Sequence, residues 1–74
     1  MDAKTLGARL AAARHQAGLS QQQVADRLGM RRPAISEIET GERDVKALEL
    51  DRFAQLYGVT LEWLLGRDAV AQAA

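Results

Sequence analysis

The sequence predicts a small all-α domain, a compact five-helix bundle, and three observations lead to this fold class. Apolar residues recur at helical spacing in several short segments. Strand signals are nearly absent, because β-branched residues are few and never alternate with polar ones. Five of the six glycines stand where an apolar segment stops, as expected of glycines at helix C-termini. With 74 residues there is room for one domain, which we place at 1–66 with a short tail at 67–74.

The first predicted helix runs from about Ala3 to Ala17. Its apolar residues lie on one stripe at helical spacing, and Gly18 ends it. We expect the stripe to face the core, and it consists of Leu6, Leu10, Ala13 and Ala17.

The second predicted helix begins after a capping box, in which the side chains of Ser20 and Gln23 each accept a backbone N–H that lacks a partner. Leu19 and Val24 stand at the two positions of a hydrophobic staple around this cap. Gly29 ends the helix after barely two turns, so it must pack at once against a neighbour. Its inner face consists of Val24, Ala25 and Leu28.

Three further helices are predicted, over about Arg32–Glu39, Ala47–Tyr57 and Leu61–Leu65. Pro33 falls in the first turn of the third helix, where a missing N–H costs no intrahelical bond. Thr60 is the expected N-cap of the fifth helix. The inward residues expected from these helices are Ala34, Ile35, Ile38, Leu50, Phe53, Ala54, Tyr57, Leu61, Trp63 and Leu64.

Composition excludes several functional classes. The chain has no cysteine, which removes disulfides, thiolate metal sites and a cysteine nucleophile. His15 is the single histidine and has no serine or carboxylate partner in the pattern, so we expect no metal, no cofactor and no catalytic residue. No apolar run is long enough to span a membrane and no signal-peptide pattern opens the chain, which leads us to expect a cytoplasmic protein.

Charge is balanced overall but not locally. Lys and Arg total 10, as do Asp and Glu, giving a formal net charge of zero. Arg27, Arg31 and Arg32 fall within six positions that hold no acid, whereas the stretch 37–44 holds four acids and one arginine. Any surface that faces phosphates must therefore be local, and we expect weak non-specific binding to nucleic acid.

Residues 19–41 form two short helices joined by a turn on Gly29, the arrangement of a DNA-binding helix-turn-helix. Such a domain places the N-terminal residues of its second helix against base edges in the major groove. Arg32 suits a bidentate contact to guanine, and Glu37 suits a cytosine amine, a salt bridge to Arg32 or plain solvent exposure. The residues expected to point outward from the third helix are Arg32, Pro33, Ser36 and Glu37.

Three motifs, LSQQQVADRLG, AISEIETGER and LYGVTLEWLLG, carry a family resemblance. Over about residues 6–66 the chain resembles the Cro/C1-type (XRE) family of phage and bacterial repressors, whose fold is a five-helix, lambda-repressor-like bundle. The resemblance places Arg32, Pro33, Ser36 and Glu37 at base-contacting positions of the recognition helix. Family members often carry a Ser or Thr cap before this helix, whereas this chain has Arg31.

The same resemblance implies further roles. It places four residues at phosphate-contacting positions, namely Gln21, Arg31, Thr40 and Arg43. It also implies that Arg14 and Glu39 form a buried ion pair that joins the first helix to the recognition helix.

The expected function is sequence-specific regulation of transcription, as a repressor that binds a palindromic operator in double-stranded DNA as a homodimer. The expected dimer surface consists of Leu56, Leu65 and Val70, apolar residues that the predicted core does not need. One alternative rests on a resemblance to antitoxin-like members of the family, in which the region of residues 36–50 recurs beside metalloprotease-type partners. This resemblance implies an interaction module that binds a protein partner as well as DNA. Another is an adaptor that binds no DNA. No enzyme activity is expected.

Overall fold

Five α-helices make up the part of the chain that the computed structural model describes, residues 1–67. They are α1 (Ala3–Gln16), α2 (Gln21–Leu28), α3 (Arg32–Thr40), α4 (Ala47–Tyr57) and α5 (Leu61–Leu64). The all-α, five-helix class is confirmed, and residues 1–67 contain no strand. No helix in this range is both long enough and apolar enough to cross a membrane. Of the proposed tail at 67–74, only residue 67 is among the described residues, and Val70 lies outside them.

Helix boundaries follow the capping residues. The backbone N–H of Gln23 donates to the Ser20 hydroxyl at 3.0 Å, and that of Ser20 donates to Gln23 Oε1 at 2.8 Å, which completes the predicted capping box. The Thr60 hydroxyl accepts from the backbone N–H of Trp63 at 3.0 Å, as predicted for an N-cap. Gly29 ends α2 in the left-handed conformation, with φ of 65°.

The core lies where all five helices meet. Its largest fully buried side chains are Leu10, Val24, Ile35, Ile38, Phe53 and Leu64. Two predicted core residues are wrong. Ala17 is exposed because α1 ends one residue earlier than predicted, so that Ala17 is its C-cap. Leu61 is exposed because α5 is a single turn, and the side that faces inward carries Leu64.

Two glycines allow α1 and α3 to touch through their backbones. A Cβ atom on Gly7, in the second turn of α1, would collide with the carbonyl oxygen of Ile38 and lie 2.7 Å from that of Glu39. A Cβ atom on Gly41 would lie 2.6 Å from the Cα of Lys4. The C-terminal end of α3 is therefore fixed against the start of α1 at a distance that only glycine permits.

Candidate nucleic-acid interface

The corner between α2 and α3 is held by backbone and side-chain hydrogen bonds. After Gly29 turns the chain, the N–H of Met30 donates to the carbonyl of Ala25 at 3.0 Å, and Ala25 itself is buried. Arg52, reaching from α4, donates from Nη2 to the carbonyl of Leu28 at 2.8 Å. This bond satisfies one of the free carbonyls at the end of α2. Sequence reasoning missed Arg52, because its partner lies 24 residues away.

The recognition helix α3 is buried on one side and open on the other. Ile35 and Ile38 have no exposed surface, whereas Arg32, Pro33 and Glu37 are exposed and Ser36 is half-buried. This arrangement is the one that the sequence predicted for the outward face. A helix anchored in this way can enter the major groove as a rigid body.

The N-terminal end of α3 presents two guanidinium groups. Arg31 is the N-cap and makes no side-chain capping bond, although its carbonyl accepts from the N–H of Ala34 at 2.9 Å. The ion pairs formed within residues 1–67 join Arg14 to Glu39 and Arg43 to Glu49. Within this range, Arg31 and Arg32 are thus not committed to an acid, and the considered salt bridge between Arg32 and Glu37 is not formed.

The start of α2 offers a second group of donors. In the described part of the chain, the backbone N–H groups of Gln21 and Gln22 have no acceptor, as is usual in the first turn of a helix. Such N–H groups, at the positive end of the helix dipole, bind anions. The side chain of Gln21 donates from Nε2 to Glu39 Oε1 at 3.0 Å.

Arg14 and Glu39 meet behind this donor group. Arg14 Nε donates to Glu39 Oε2 at 2.7 Å, Nη2 donates to Oε1 at 3.0 Å, and Nη1 donates to the carbonyl of Leu19 at 2.9 Å. Only about a tenth of either side chain is exposed. The hydrogen bond from Arg14 to Glu39 outweighs the effect of burial and raises the pKa of Arg14, which stays charged. Burial raises the pKa of nearby Tyr57, which stays neutral.

Thr40 and Arg43, which follow the recognition helix, already donate to acids of the chain. The Thr40 hydroxyl donates to Glu42 Oε1 at 2.7 Å, and Arg43 Nη2 donates to Glu49 Oε2 at 2.9 Å. Burial alone would raise the pKa of Glu49, but hydrogen bonds from the Lys46 N–H and from Arg43 outweigh it and lower that pKa. Sequence reasoning missed both acids, although Glu42 stands only two residues from Thr40.

The three residues expected at the dimer surface differ in burial and in whether the structure describes them. Leu56 packs against the core, so the premise that the core does not need it is wrong. Leu65 is half-buried, and Val70 lies outside the described residues. Sequence reasoning missed Leu48, which follows the start of α4 and is 81% exposed, the largest exposed fraction among the large hydrophobic residues of 1–67.

The five-helix bundle holds the corner between α2 and α3 rigid and leaves the basic N-terminal end of α3 open, which defines a helix-turn-helix DNA-binding domain. Comparison with known proteins gives the family. The chain belongs to the helix-turn-helix domain family, whose model matches residues 5–64, and the resemblance to the Cro/C1-type (XRE) regulators is confirmed. This class of protein is not enzymatic.

Two relatives support the assignment. The chain is 35% identical over 68 residues to the HTH-type transcriptional regulator ImmR of Bacillus subtilis (strain 168), a match that covers 92% of this chain and 54% of ImmR. The chain thus spans about half the length of that relative. The structure of the S. venezulae BldD DNA-binding domain superimposes with a TM-score of 0.73 at 38% identity, over 84% of this chain and 93% of that one.

Proposed function

We propose that this chain represses transcription by binding a palindromic operator as a homodimer, with α3 in the major groove. The observation that carries the proposal is the division of α3 into a fully buried side, Ile35 and Ile38, and an exposed basic N-terminal end at Arg31 and Arg32. The first residues of a recognition helix are those that reach base edges.

Base readout is assigned to the exposed side of α3. Arg32 donates two hydrogen bonds to O6 and N7 of a guanine, which discriminates by roughly 1–3 kcal/mol against other bases. Pro33 and Ser36 contact neighbouring bases. Glu37 accepts from a cytosine amine and repels phosphates when the wrong sequence is bound, which lowers the affinity for non-cognate DNA.

Phosphate contacts are assigned to both sides of this helix. Gln21 binds one phosphate together with the N–H groups at the start of α2, and Arg31 binds another. Thr40 and Arg43 reach the backbone only by exchanging Glu42 and Glu49 for a phosphate. Their contribution is therefore smaller than that of Gln21 and Arg31.

Dimerisation follows from the size of the binding unit, since one recognition helix gives limited affinity. Two copies would contact half-sites about 34 Å apart, one turn of DNA. Leu65 and Val70 at the end of the chain form the proposed contact, together with the exposed part of Leu56. Exposed Leu61, the first residue of the short helix α5 whose C-cap is Leu65, extends this surface.

The test is selection of bound sequences from a random DNA pool, followed by gel-shift titrations at two salt concentrations. We expect an inverted repeat with about one helical turn between half-site centres, and affinity that falls with salt. Recovery of a single half-site would contradict the homodimer. Equal affinity for every duplex would contradict specific recognition.

Residue roles are separated in the same assay. Arg32→Ala should lose preference at one base pair, whereas Gln21→Ala should weaken binding to all sequences alike. Arg27→Ala is the matched control, because Arg27 is an exposed arginine with no assigned base or phosphate contact, so its loss should leave base preference unchanged and weaken binding less than Gln21→Ala. If Arg32→Ala and Gln21→Ala behave identically, the division between base and phosphate contacts is wrong.

Leu48 favours a second candidate function, binding of a protein partner in the antitoxin-like manner. It lies in the segment 36–50 and exposes 81% of its surface, the largest exposed fraction among the large hydrophobic residues of 1–67. Co-purification with a metalloprotease-type protein tests this candidate, with Leu48→Ser as the variant that should lose the complex and keep operator binding. Failure of the unaltered chain to form any complex would contradict it.

A further inference from the structure

One carboxylate joins the three helices that build the interface. Glu39, on α3, accepts from Arg14 of α1 at Oε2 over 2.7 Å and at Oε1 over 3.0 Å. The same Oε1 accepts from Gln21 Nε2, on α2, at 3.0 Å. The ion pair and the side chain at the start of α2 therefore share an oxygen atom.

This shared oxygen decides which way the amide of Gln21 faces. An ionised carboxylate only accepts hydrogen bonds, whereas a glutamine side chain has an NH2 group that donates and a carbonyl that accepts. Gln21 must therefore turn its NH2 group toward Glu39. One amide hydrogen is used in that contact, and the second remains for another acceptor. Without the carboxylate, the two amide orientations would differ little in energy, and the carbonyl would compete for the same direction.

We propose that Glu39 is a positioning residue for DNA-backbone binding, which fixes the amide of Gln21 as a donor to a phosphate. The second amide hydrogen and the unpaired N–H groups of Gln21 and Gln22 then form one anion-binding group at the start of α2. This inference rests on the proposed function, in which Gln21 contacts a phosphate.

A purely structural role for Glu39 makes a different prediction. Glu39 also neutralises Arg14, whose remaining donor Nη1 binds the carbonyl of Leu19. If neutralising Arg14 were its whole role, replacing Glu39 would lower stability, and the effect of replacing Gln21 on DNA affinity would not depend on it. The positioning role predicts that the effects of replacing Gln21 and Glu39 on DNA affinity are not additive, whereas the purely structural role predicts that they are. A double-mutant cycle measures this difference.

The experiment measures the operator affinity of the unaltered chain, of Gln21→Met, of Glu39→Gln and of the double variant. It is done at a temperature where circular dichroism shows every variant folded. A hydrogen bond to a charged group corresponds to about tenfold in affinity or more, so Gln21→Met should weaken binding about tenfold. In the Glu39→Gln background, the same change should cost less than about twofold. Gln22→Met is the matched control, because the Gln22 side chain donates to Asp26 and should show no coupling to Glu39.

The outcomes distinguish failure of the phosphate role of Gln21 from failure of the positioning role of Glu39. If Gln21→Met binds the operator as well as the unaltered chain, the proposed phosphate role of Gln21 fails. If it weakens binding equally in both backgrounds, that role stands and the positioning role of Glu39 is overturned. Should Glu39→Gln not fold, NMR of the unaltered chain gives the answer. Operator binding should shift one side-chain amide hydrogen of Gln21 more than the other, and equal shifts of both would overturn the proposal.

Discussion

The two ends of the recognition helix α3 are built in opposite ways. At the C-terminal end, Gly7 and Gly41 bring the backbone of α1 into contact with α3, and Glu39 pairs with Arg14 out of solvent. At the N-terminal end, Arg31 and Arg32 are exposed and no side chain caps the helix. The contrast teaches that the stabilising contacts are concentrated at the end away from the residues that we propose to contact bases.

This division has a physical reason. A recognition helix must be rigid, because a small displacement would misalign its hydrogen bonds to bases, yet its reading end must keep donors free for DNA. Proteins depart from the sequence preferences that stabilise a helix mostly at functional sites. The N-terminal end of α3 departs from them at Arg31, an N-cap that makes no side-chain capping bond. Four substitutions test the comparison, from the largest expected effect on stability to the smallest.

The ion pair at the C-terminal end should give the largest effect. Arg14→Met leaves the carboxylate of Glu39 buried without its cation, which typically costs about 3–5 kcal/mol. Urea unfolding of this variant should show a strongly lowered midpoint. In the double variant with Glu39→Met much of the loss should return, because an apolar pair of similar volume suits a buried site. No recovery would mean that the network with Gln21 and Leu19, and not the isolated charge, holds this end.

The close approach of α1 and α3 should give the next largest effect. Gly7→Ala adds a methyl group against the backbone of Ile38 and Glu39, and neither backbone can rotate away as a side chain could. We expect a loss toward the upper part of the roughly 1–3 kcal/mol typical of overpacking, despite the better helix propensity of alanine.

Gly18→Ala is the control for Gly7→Ala. Its added Cβ would meet no atom within 4 Å, so it tests only the left-handed backbone, with φ of 72°. It should cost about 1 kcal/mol. Thermal unfolding of both variants gives the comparison. If Gly18→Ala is the more damaging change, the backbone of α3 moves easily enough to accept the added methyl group at residue 7.

The sequence predicts the structural features that depend only on residues close together in the chain. The capping box of Ser20 and Gln23 and the glycine helix ends are local, and the inward positions of Ile35 and Ile38 follow from helical periodicity. Periodicity failed at Leu61, because α5 is a single turn and too short to define a face.

The remaining features depend on contacts that no local pattern fixes. Gly7 looks like an ordinary helix residue until α3 is placed against it. Thr40 and Arg43 suit phosphate binding by residue type, but Glu42 and Glu49 take up their donors, and that competition depends on side-chain geometry. The family resemblance implied the pair of Arg14 and Glu39, whereas the link from Glu39 to Gln21 appears only in three dimensions.

At the N-terminal end of α3, adding a cap should increase stability and reduce binding. Arg31 has the extended backbone of an N-cap, with φ of −82° and ψ of 141°. In Arg31→Ser the hydroxyl can accept from the N–H of Ala34, which should stabilise the fold by about 1 kcal/mol in urea unfolding. Loss of the guanidinium should weaken binding to all DNA sequences and reduce the salt dependence by about one phosphate contact. A variant that gains stability and binds DNA unchanged would remove Arg31 from the interface.

The segment beyond the C-terminal end of α3 should give the smallest effect, and a pH-dependent one. Because the folded-state pKa of Glu49 is lowered, its contribution to stability is present above its unfolded pKa of about 4.3 and is lost as pH falls through the folded value. Glu49→Gln should therefore be less stable than the unaltered chain at pH 7, by under about 1 kcal/mol because the pair is partly exposed, and the difference should shrink as the pH falls through the folded-state pKa of Glu49. The pKa of the exposed Asp2 is also lowered, by its hydrogen bonds with Thr5, but Asp2 is present in both proteins and its effect cancels. A difference that does not shrink in acid would show that packing of Glu49, and not its charge, stabilises this segment.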